Sequence, residues 1–130
     1  MSEPILPRGW PRPAGYSNAI AAAGRLVALA GQVGWDPMTG RFASDDLVEQ
    51  TRQALKNVAD VLKAAGAKPE HVVRLNWFVV SREEYDARRE GIGRAYRDVF
   101  GAHYPAMTLV IAGLLEPGAR VEIEATAVVP

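Results

Sequence analysis

Ten residues near the middle of the chain, "HVVRLNWFVV" at 71–80, constrain the fold more than any other stretch. β-branched and aromatic residues dominate the run, so it reads as a strand. Side chains alternate between the two faces of a strand. Val73, Leu75, Trp77 and Val79 fall on one face, and Val72, Arg74, Asn76, Phe78 and Val80 on the other. Both faces are largely apolar, and a strand of that kind needs a covering on each side. The chain has two helical segments to offer, so the second covering is expected to be another subunit.

The first helix is read over 46–65. Asp46 and Glu49 have the N-cap and N3 spacing of a capping box. Leu47, Thr51, Leu55, Val58, Leu62 and Ala65 recur at helical intervals and make one apolar stripe. Gly66 is a natural stop, with Pro69 beyond it. A second helix is read over 82–100, with Tyr85, Ile92, Tyr96 and Val99 as its stripe. Gly91 and Gly93 interrupt it, each weakening a helix by roughly 1 kcal/mol relative to alanine. Strands are expected at about 107–112 and 119–129, joined by the turn in "GLLEPG". Upstream, "NAIAAAGRLVALAGQVGW" reads as two short strands around Gly24, although its alanine-rich half suits a helix equally on propensity. Pro4, Pro7, Pro11 and Pro13 make the N-terminus an extended arm. The order is β-β-β-α-β-α-β-β if the arm and the alanine segment add a strand, and β-β-α-β-α-β-β if they do not. Either order gives an α+β fold, one mixed β-sheet with two helices packed on one face, in a single domain over 1–130.

Composition narrows the function. The 130 residues carry fifteen basic and fifteen acidic side chains and no cysteine. A balanced charge supplies no field for nucleic acid or an anionic membrane. Thiolate catalysis, disulfides and cysteine metal sites are excluded. No apolar run has the length of a membrane span or of a signal peptide core, so a cytoplasmic location is expected.

Few residues stand out for chemistry. His71 and His103 are far apart, have no metal-ligand spacing, and are expected to be surface or boundary residues. No phosphate loop, nucleophile elbow or dinucleotide fingerprint is present. Arg82, Arg88, Arg89, Arg94 and Arg97 alternate with Glu83, Glu84, Glu90 and Asp98, the pattern of a solvated, salt-bridged helix face. In "RVEIEATAVV", Val121, Ile123, Ala125, Ala127 and Val129 share one face, and Arg120, Glu122, Glu124 and Thr126 share the other. Glu122 and Glu124 are candidate acid/base groups if a subunit cleft encloses them; otherwise they belong to a solvated sheet face.

Four segments, "AGYSNAI", "LAGQVGWDPMTGRF", "EQTRQALKNVADVLKAAGA" and "YPAMTLVIAGLLEPGARVEIEATAV", occur in this order across nearly the whole chain. Together they make the sequence resemble the Rid family, the reactive intermediate deaminases also called YjgF-type proteins. The resemblance implies a chorismate-mutase-like α+β fold and a homotrimer with small-molecule clefts between subunits. It also implies cofactor-free, metal-free hydrolysis of enamines and imines such as 2-aminoacrylate. Tyr16 matches the family's "PYS" tyrosine, and Glu122 matches the glutamate that positions the attacking water. Ala30, Gly31 and Gln32 match a ligand-binding "SGQ", with alanine in place of serine. Met107 and Thr108 match "RS" of "PARS", so methionine stands where the family's arginine clamps a substrate carboxylate. The asparagine that the active branch carries in the second helix falls near Gly93. Arginine holds a carboxylate through a planar two-pronged fork, whereas methionine offers a flexible apolar surface. The expectation is therefore a diverged hydrolase acting on an imine or enamine other than a 2-imino acid, unless Arg120 or an N-terminal arginine takes over. The alternative is a non-catalytic trimer that binds a small apolar metabolite. Chorismate mutase and ribonuclease activities are disfavoured by Met107 and by the neutral charge.

Overall fold

The computed structural model describes residues 2–130, and helix α1 (Leu47–Ala64) organises them. Asp46 caps α1, its carboxylate accepting from the Glu49 N–H at 3.0 Å. Glu49 does not return the bond. Its carboxylate lies 3.8 Å from Arg52. The far end closes as expected. Gly66 takes φ +74°, the Ala67 N–H reaches the Leu62 carbonyl at 2.8 Å, and the Gly66 N–H reaches that of Lys63 at 3.0 Å. This pair of bonds is a Schellman motif, and it satisfies two carbonyls that the helix would otherwise leave open.

Six strands complete the fold: β1 (Ser2–Ile5), β2 (Ala19–Ala22), β3 (Arg25–Val33), β4 (Val72–Val79), β5 (Ala106–Ile111) and β6 (Val121–Val129). The main sheet has the order β3-β6-β4-β5, with β4 and β5 parallel and the other pairs antiparallel. The arm folds back as a separate ribbon, β1 pairing antiparallel with β2. The longer of the two expected orders is thus the observed one, and the alanine segment is extended. A parallel pair needs a crossover, which α2 (Arg82–Ala87) and α3 (Arg89–Phe100) supply between β4 and β5.

α1 and α3 cover one face of the sheet. Leu47, Leu55, Val58 and Leu62 of α1 are sealed against Leu75, Trp77, Ile123 and Ala125. Each such large side chain contributes about 1.5–3 kcal/mol on burial. No helix among the described residues covers the other face. Leu26 is 68% exposed there and Val110 42% exposed, with Phe78 half-buried nearby.

Two expectations need correction. Val72 does not share the open face with Arg74 and Asn76. An irregularity in the β4–β6 register between Val72 and Arg74 turns it inward, where it is fully buried. A bulge shifts parity by one residue, and no alternation rule anticipates it. The second helix is not continuous either. It breaks at Arg88 (φ −121°, ψ 18°), not at a glycine. The Arg88 guanidinium pairs with Asp46, the N-cap of α1, so the break latches the two helices together. Gly91 is required by packing, since a Cβ there would stand 2.8 Å from Val48 Cγ2.

Gly91→Ala is expected to destabilise by about 1–2 kcal/mol in urea unfolding, overpacking against stiff Val48 outweighing the gain of about 1 kcal/mol in helix propensity. The Arg88 guanidinium holds the Asp46 carboxyl below its usual range, with the Glu49 N–H adding to the effect. A lowered folded-state pKa gives stability that is present above the unfolded value and lost as pH falls through the folded one. Thermal unfolding from pH 6 down to pH 2 should show that acid loss in the wild type. It should be smaller in Asp46→Asn, which keeps an N-cap but carries no titrating charge.

Candidate functional site

Met107 and Glu122 line hollows on opposite faces of the sheet, Gly31 and Gln32 join Glu122, Tyr16 lines a third hollow, and Ala30 and Thr108 line none of the three. Met107 pairs with Leu75 in the β4–β5 register and therefore shares its helix-covered face. Its side chain packs on the core and lines a cavity of about 310 Å³. Leu75, Trp77, Ile92, Tyr96 and Tyr104 make the apolar wall, while Ala14 and Gly15 of the arm form part of the rim. The arm is held there by Ser17, whose N–H donates to the Pro105 carbonyl at 3.1 Å and whose Oγ donates to that of Tyr104 at 2.6 Å.

Aromatic packing stiffens this wall. Tyr96 stacks on Tyr104 with ring centroids 5.6 Å apart and meets Trp77 at 6.4 Å. The Tyr96 hydroxyl donates to the His103 carbonyl. Burial raises its pKa well above the usual tyrosine value, and the neighbouring Tyr104 adds to the shift. Tyr96 is therefore a fixed neutral donor at physiological pH. His103 in turn donates Nε2–H to the Val72 carbonyl at 2.7 Å, a structural role consistent with its reading as a boundary residue.

Glu122 lies on the other face, opposite Phe78 in register. Its carboxylate rests directly over the backbone of Gly31, where a Cβ would meet Oε2 at 2.1 Å. Gln32, Trp35, Leu115 and Glu116 complete this second hollow, of about 280 Å³. Glu124 accepts from Asn76 Nδ2 at 2.9 Å and is thereby committed to a cross-strand bond. Ala30 is exposed beside the bulge between Leu29 and Gln32, and Thr108 is exposed on the helix-free face across from Asn76. Tyr16 is 39% exposed and lines a further hollow with Arg12 and Tyr104, next to the Met107 cavity. One chain thus brings Met107 near Tyr16 through Tyr104, and Glu122 together with Gly31 and Gln32. It does not bring the two groups together.

The strand that carries Gly31 is held in place by α1. Asn57 Nδ2 donates to the Val33 and Trp35 carbonyls at 3.0 and 2.9 Å. Gln50 Nε2 donates to the Ser44 and Gly118 carbonyls, both at 2.9 Å, and its Oε1 accepts from the Arg120 N–H at 2.8 Å. Gly34 lets β3 exit against α1, since a Cβ there would stand 2.3 Å from the Gln50 carbonyl oxygen.

The arginines correct the expectation of a uniformly paired helix face. Arg82 and Arg89 share Asp86, Arg94 faces Glu90 and Arg88 holds Asp46. Arg97 has no carboxylate within salt-bridge reach among the described residues, and it lines the Met107 cavity with Arg89. Their 89-93-97 spacing with Gly93 was a legible signal, because residues four apart share a helix face. Arg120, considered as a substitute clamp, is engaged with Glu84 at 3.4 Å and does not line that cavity. No cluster of three or more metal-ligating side chains occurs among the described residues. No helix there is long and apolar enough to cross a membrane.

A mixed sheet with two main helices on one face and this order of motifs defines a Rid-type α+β domain. Residues 11–129 match the family described as Endoribonuclease L-PSP, and the chain belongs to this Rid (YjgF) family. It is similar to a human 2-iminobutanoate/2-iminopropanoate deaminase, 32% identical over 113 residues, covering 87% of this chain and 79% of the relative. A RutC family protein of Pyrococcus horikoshii is 34% identical, with 98% of each chain covered. Among solved structures, the Rid family protein YyfB of Yersinia pestis superposes with a TM-score of 0.85 at 34% identity, again over 98% of each chain.

The two glycines beneath α1 and Glu122 should respond differently to a methyl group. Gly34→Ala meets backbone and is expected to cost about 3 kcal/mol in chemical denaturation. Gly31→Ala meets only a glutamate side chain, from Cγ to the carboxylate, and no backbone. It should cost less than about 1 kcal/mol while displacing the carboxylate, which the side-chain carbonyl resonance of Glu122 would report by NMR.

Proposed function

We propose that the protein hydrolyses an imine or enamine that is not a 2-imino acid, in a cleft formed where two copies of the chain meet. The observation that carries this reading is the separation of Met107 and Glu122 on opposite faces of one sheet, each beside a hollow. A homotrimer would lay the helix-free face of one copy near the Met107 cavity of the next. It would also cover Leu26, Phe78 and Val110, which a single chain leaves partly open. The name of the human relative supplies the reaction class.

In this reading, Glu122 holds a water and accepts its proton as the oxygen attacks the imine carbon. As the C–O bond forms, the C=N π bond opens onto nitrogen, which takes a proton, and a carbinolamine results. Its nitrogen takes up the proton that Glu122 accepted, the C–N bond breaks as the hydroxyl returns its proton to the Glu122 carboxylate, and ammonia leaves behind a carbonyl compound. An enamine first takes a proton at carbon to become the imine. Gly31 gives the carboxylate its seat, Gln32 flanks it, and Ala30 leaves room beside it. Tyr16, in the hollow that adjoins the Met107 cavity through Tyr104, donates its hydroxyl to the substrate. Met107 presents apolar surface to the position beside the imine carbon, and Thr108 borders the cleft from the exposed face. No step calls for a metal or a cofactor.

A second reading, a non-catalytic trimer that binds an apolar metabolite, is favoured by the aromatic wall and by Ala30 in the serine position. Imines released in situ separate the two. Hydrolysis of apolar imines that lack a 2-carboxylate should be accelerated at least about tenfold over that of 2-aminoacrylate. A barrier difference of about 1.4 kcal/mol suffices for this, less than one charge-assisted bond contributes. Met107→Arg should gain 2-aminoacrylate hydrolysis. Efficient turnover of 2-aminoacrylate by the wild type would overturn the substrate assignment. Binding of apolar ketones without turnover of any imine would favour the second reading. A monomer by light scattering would remove the shared cleft.

A further inference from the structure

We infer that the Met107 cavity recognises an anionic group through α3, with Arg97 as the principal contact. Its ligand would be an apolar or aromatic molecule bearing a carboxylate set apart from the reacting carbon. This rests on the imine-hydrolase reading and adds to it where the substrate's charge lies.

Arg89, Gly93 and Arg97 succeed one another at four-residue intervals, so one face of α3 presents all three to the cavity. Gly93 makes the room. Arg97 Nη1 lies 3.2 Å from where a Cβ would stand, in the space that any larger residue would take. The neighbouring cations are occupied. Arg89 donates twice to Asp86, at 3.1 and 2.8 Å, and lies 4.9 Å above the Tyr85 ring. Arg94 faces Glu90 at 3.6 Å. Arg97 alone of these has no carboxylate in reach among the described residues, and neither Asp nor Glu is among the residues that line the cavity. The site is therefore cationic at its helix end and apolar at its sheet end, where Met107, Leu75 and Trp77 lie. A carboxylate directly beside the imine carbon would meet the thioether of Met107. One carried on an apolar spacer would reach the guanidinium on the helix layer instead. Guanidinium suits this role, because its planar fork binds both carboxylate oxygens at once.

The test uses an unreactive pair of ligands, so that it reads recognition whether or not hydrolysis occurs. Isothermal titration calorimetry on the full-length protein would compare 4-phenylbutanoate with 4-phenylbutan-1-ol. The acid should bind about tenfold tighter, the scale of one charge-assisted hydrogen bond. The preference should weaken as salt rises from 20 to 300 mM, because an exposed guanidinium is screened. Arg97→Gln should abolish the preference while leaving the alcohol's affinity unchanged. Arg94→Gln and Arg12→Gln should retain it. Equal affinity of the two ligands, a preference that survives Arg97→Gln, or no binding of either at millimolar concentration would each overturn the inference. Loss of the preference in Arg12→Gln alone would transfer the role to the N-terminal arm and overturn it as well.

Discussion

The seating of α1 on the sheet is the constraint on which both hollows depend. Its leucines and Val58 would hold a helix against almost any apolar surface. Gln50 and Asn57 are more demanding. Both are buried within the helix–sheet contact, and together they satisfy the carbonyls of Ser44, Val33, Trp35 and Gly118 and the N–H of Arg120. A buried carbonyl without a partner costs about 1–3 kcal/mol. A slip of one helical turn would leave several open at once. The amides therefore select one register among the many that the apolar stripe would accept. In that register, β3 leaves the sheet at Gly34 directly beneath α1, and the loop before β6 returns beside it. Gly31 and Glu122 meet because both of these segments are fastened to one helix.

The same sheet explains why the two halves of the candidate site look unlike each other. On the helix-covered side, the parallel β4–β5 pair and α3 enclose an apolar cavity whose charged lining residues, among those described, are Arg89 and Arg97. On the open side, polar and apolar groups alternate along β6 and β4; Glu122 lies against the backbone of Gly31, and Glu124 accepts from the side chain of Asn76. A hydrolytic site needs both characters, a dry surface to hold the substrate and a carboxylate to manage water. Because the sheet separates them within one chain, the proposed chemistry and the proposed assembly are a single hypothesis.

Much of this was legible in the sequence because it is local. The α1 cap at Asp46, the stop at Gly66 and the apolar stripe between them follow from spacing, and each is in place. The alternation in β6 correctly set Val121, Ile123 and Ala125 against Glu122 and Glu124. The misreadings arose where distant segments meet. Alternation alone puts Val72 on the wrong face, because the bulge that turns it inward belongs to the pairing with β6. Local periodicity does not show the break at Arg88, because Asp46, 42 residues away, fixes it. The charge pattern groups Arg97 with its neighbours, and only the placement of α3 over β4 and β5 shows which arginines have partners.

The sequence by itself determined the α+β class and the family, and it raised the expectation that Met107 stands where the family carries a carboxylate clamp. These depend on residue order, local periodicity and side-chain chemistry. Only the tertiary structure decided that Met107 and Glu122 face opposite ways, that Glu122 rests on Gly31, and that Arg97 stands beside the Met107 cavity with no carboxylate in reach among the described residues. Each of those facts depends on strand order and helix placement. Those are set by which long-range packing satisfies the buried amides and apolar faces together, and no short stretch of chain encodes that condition.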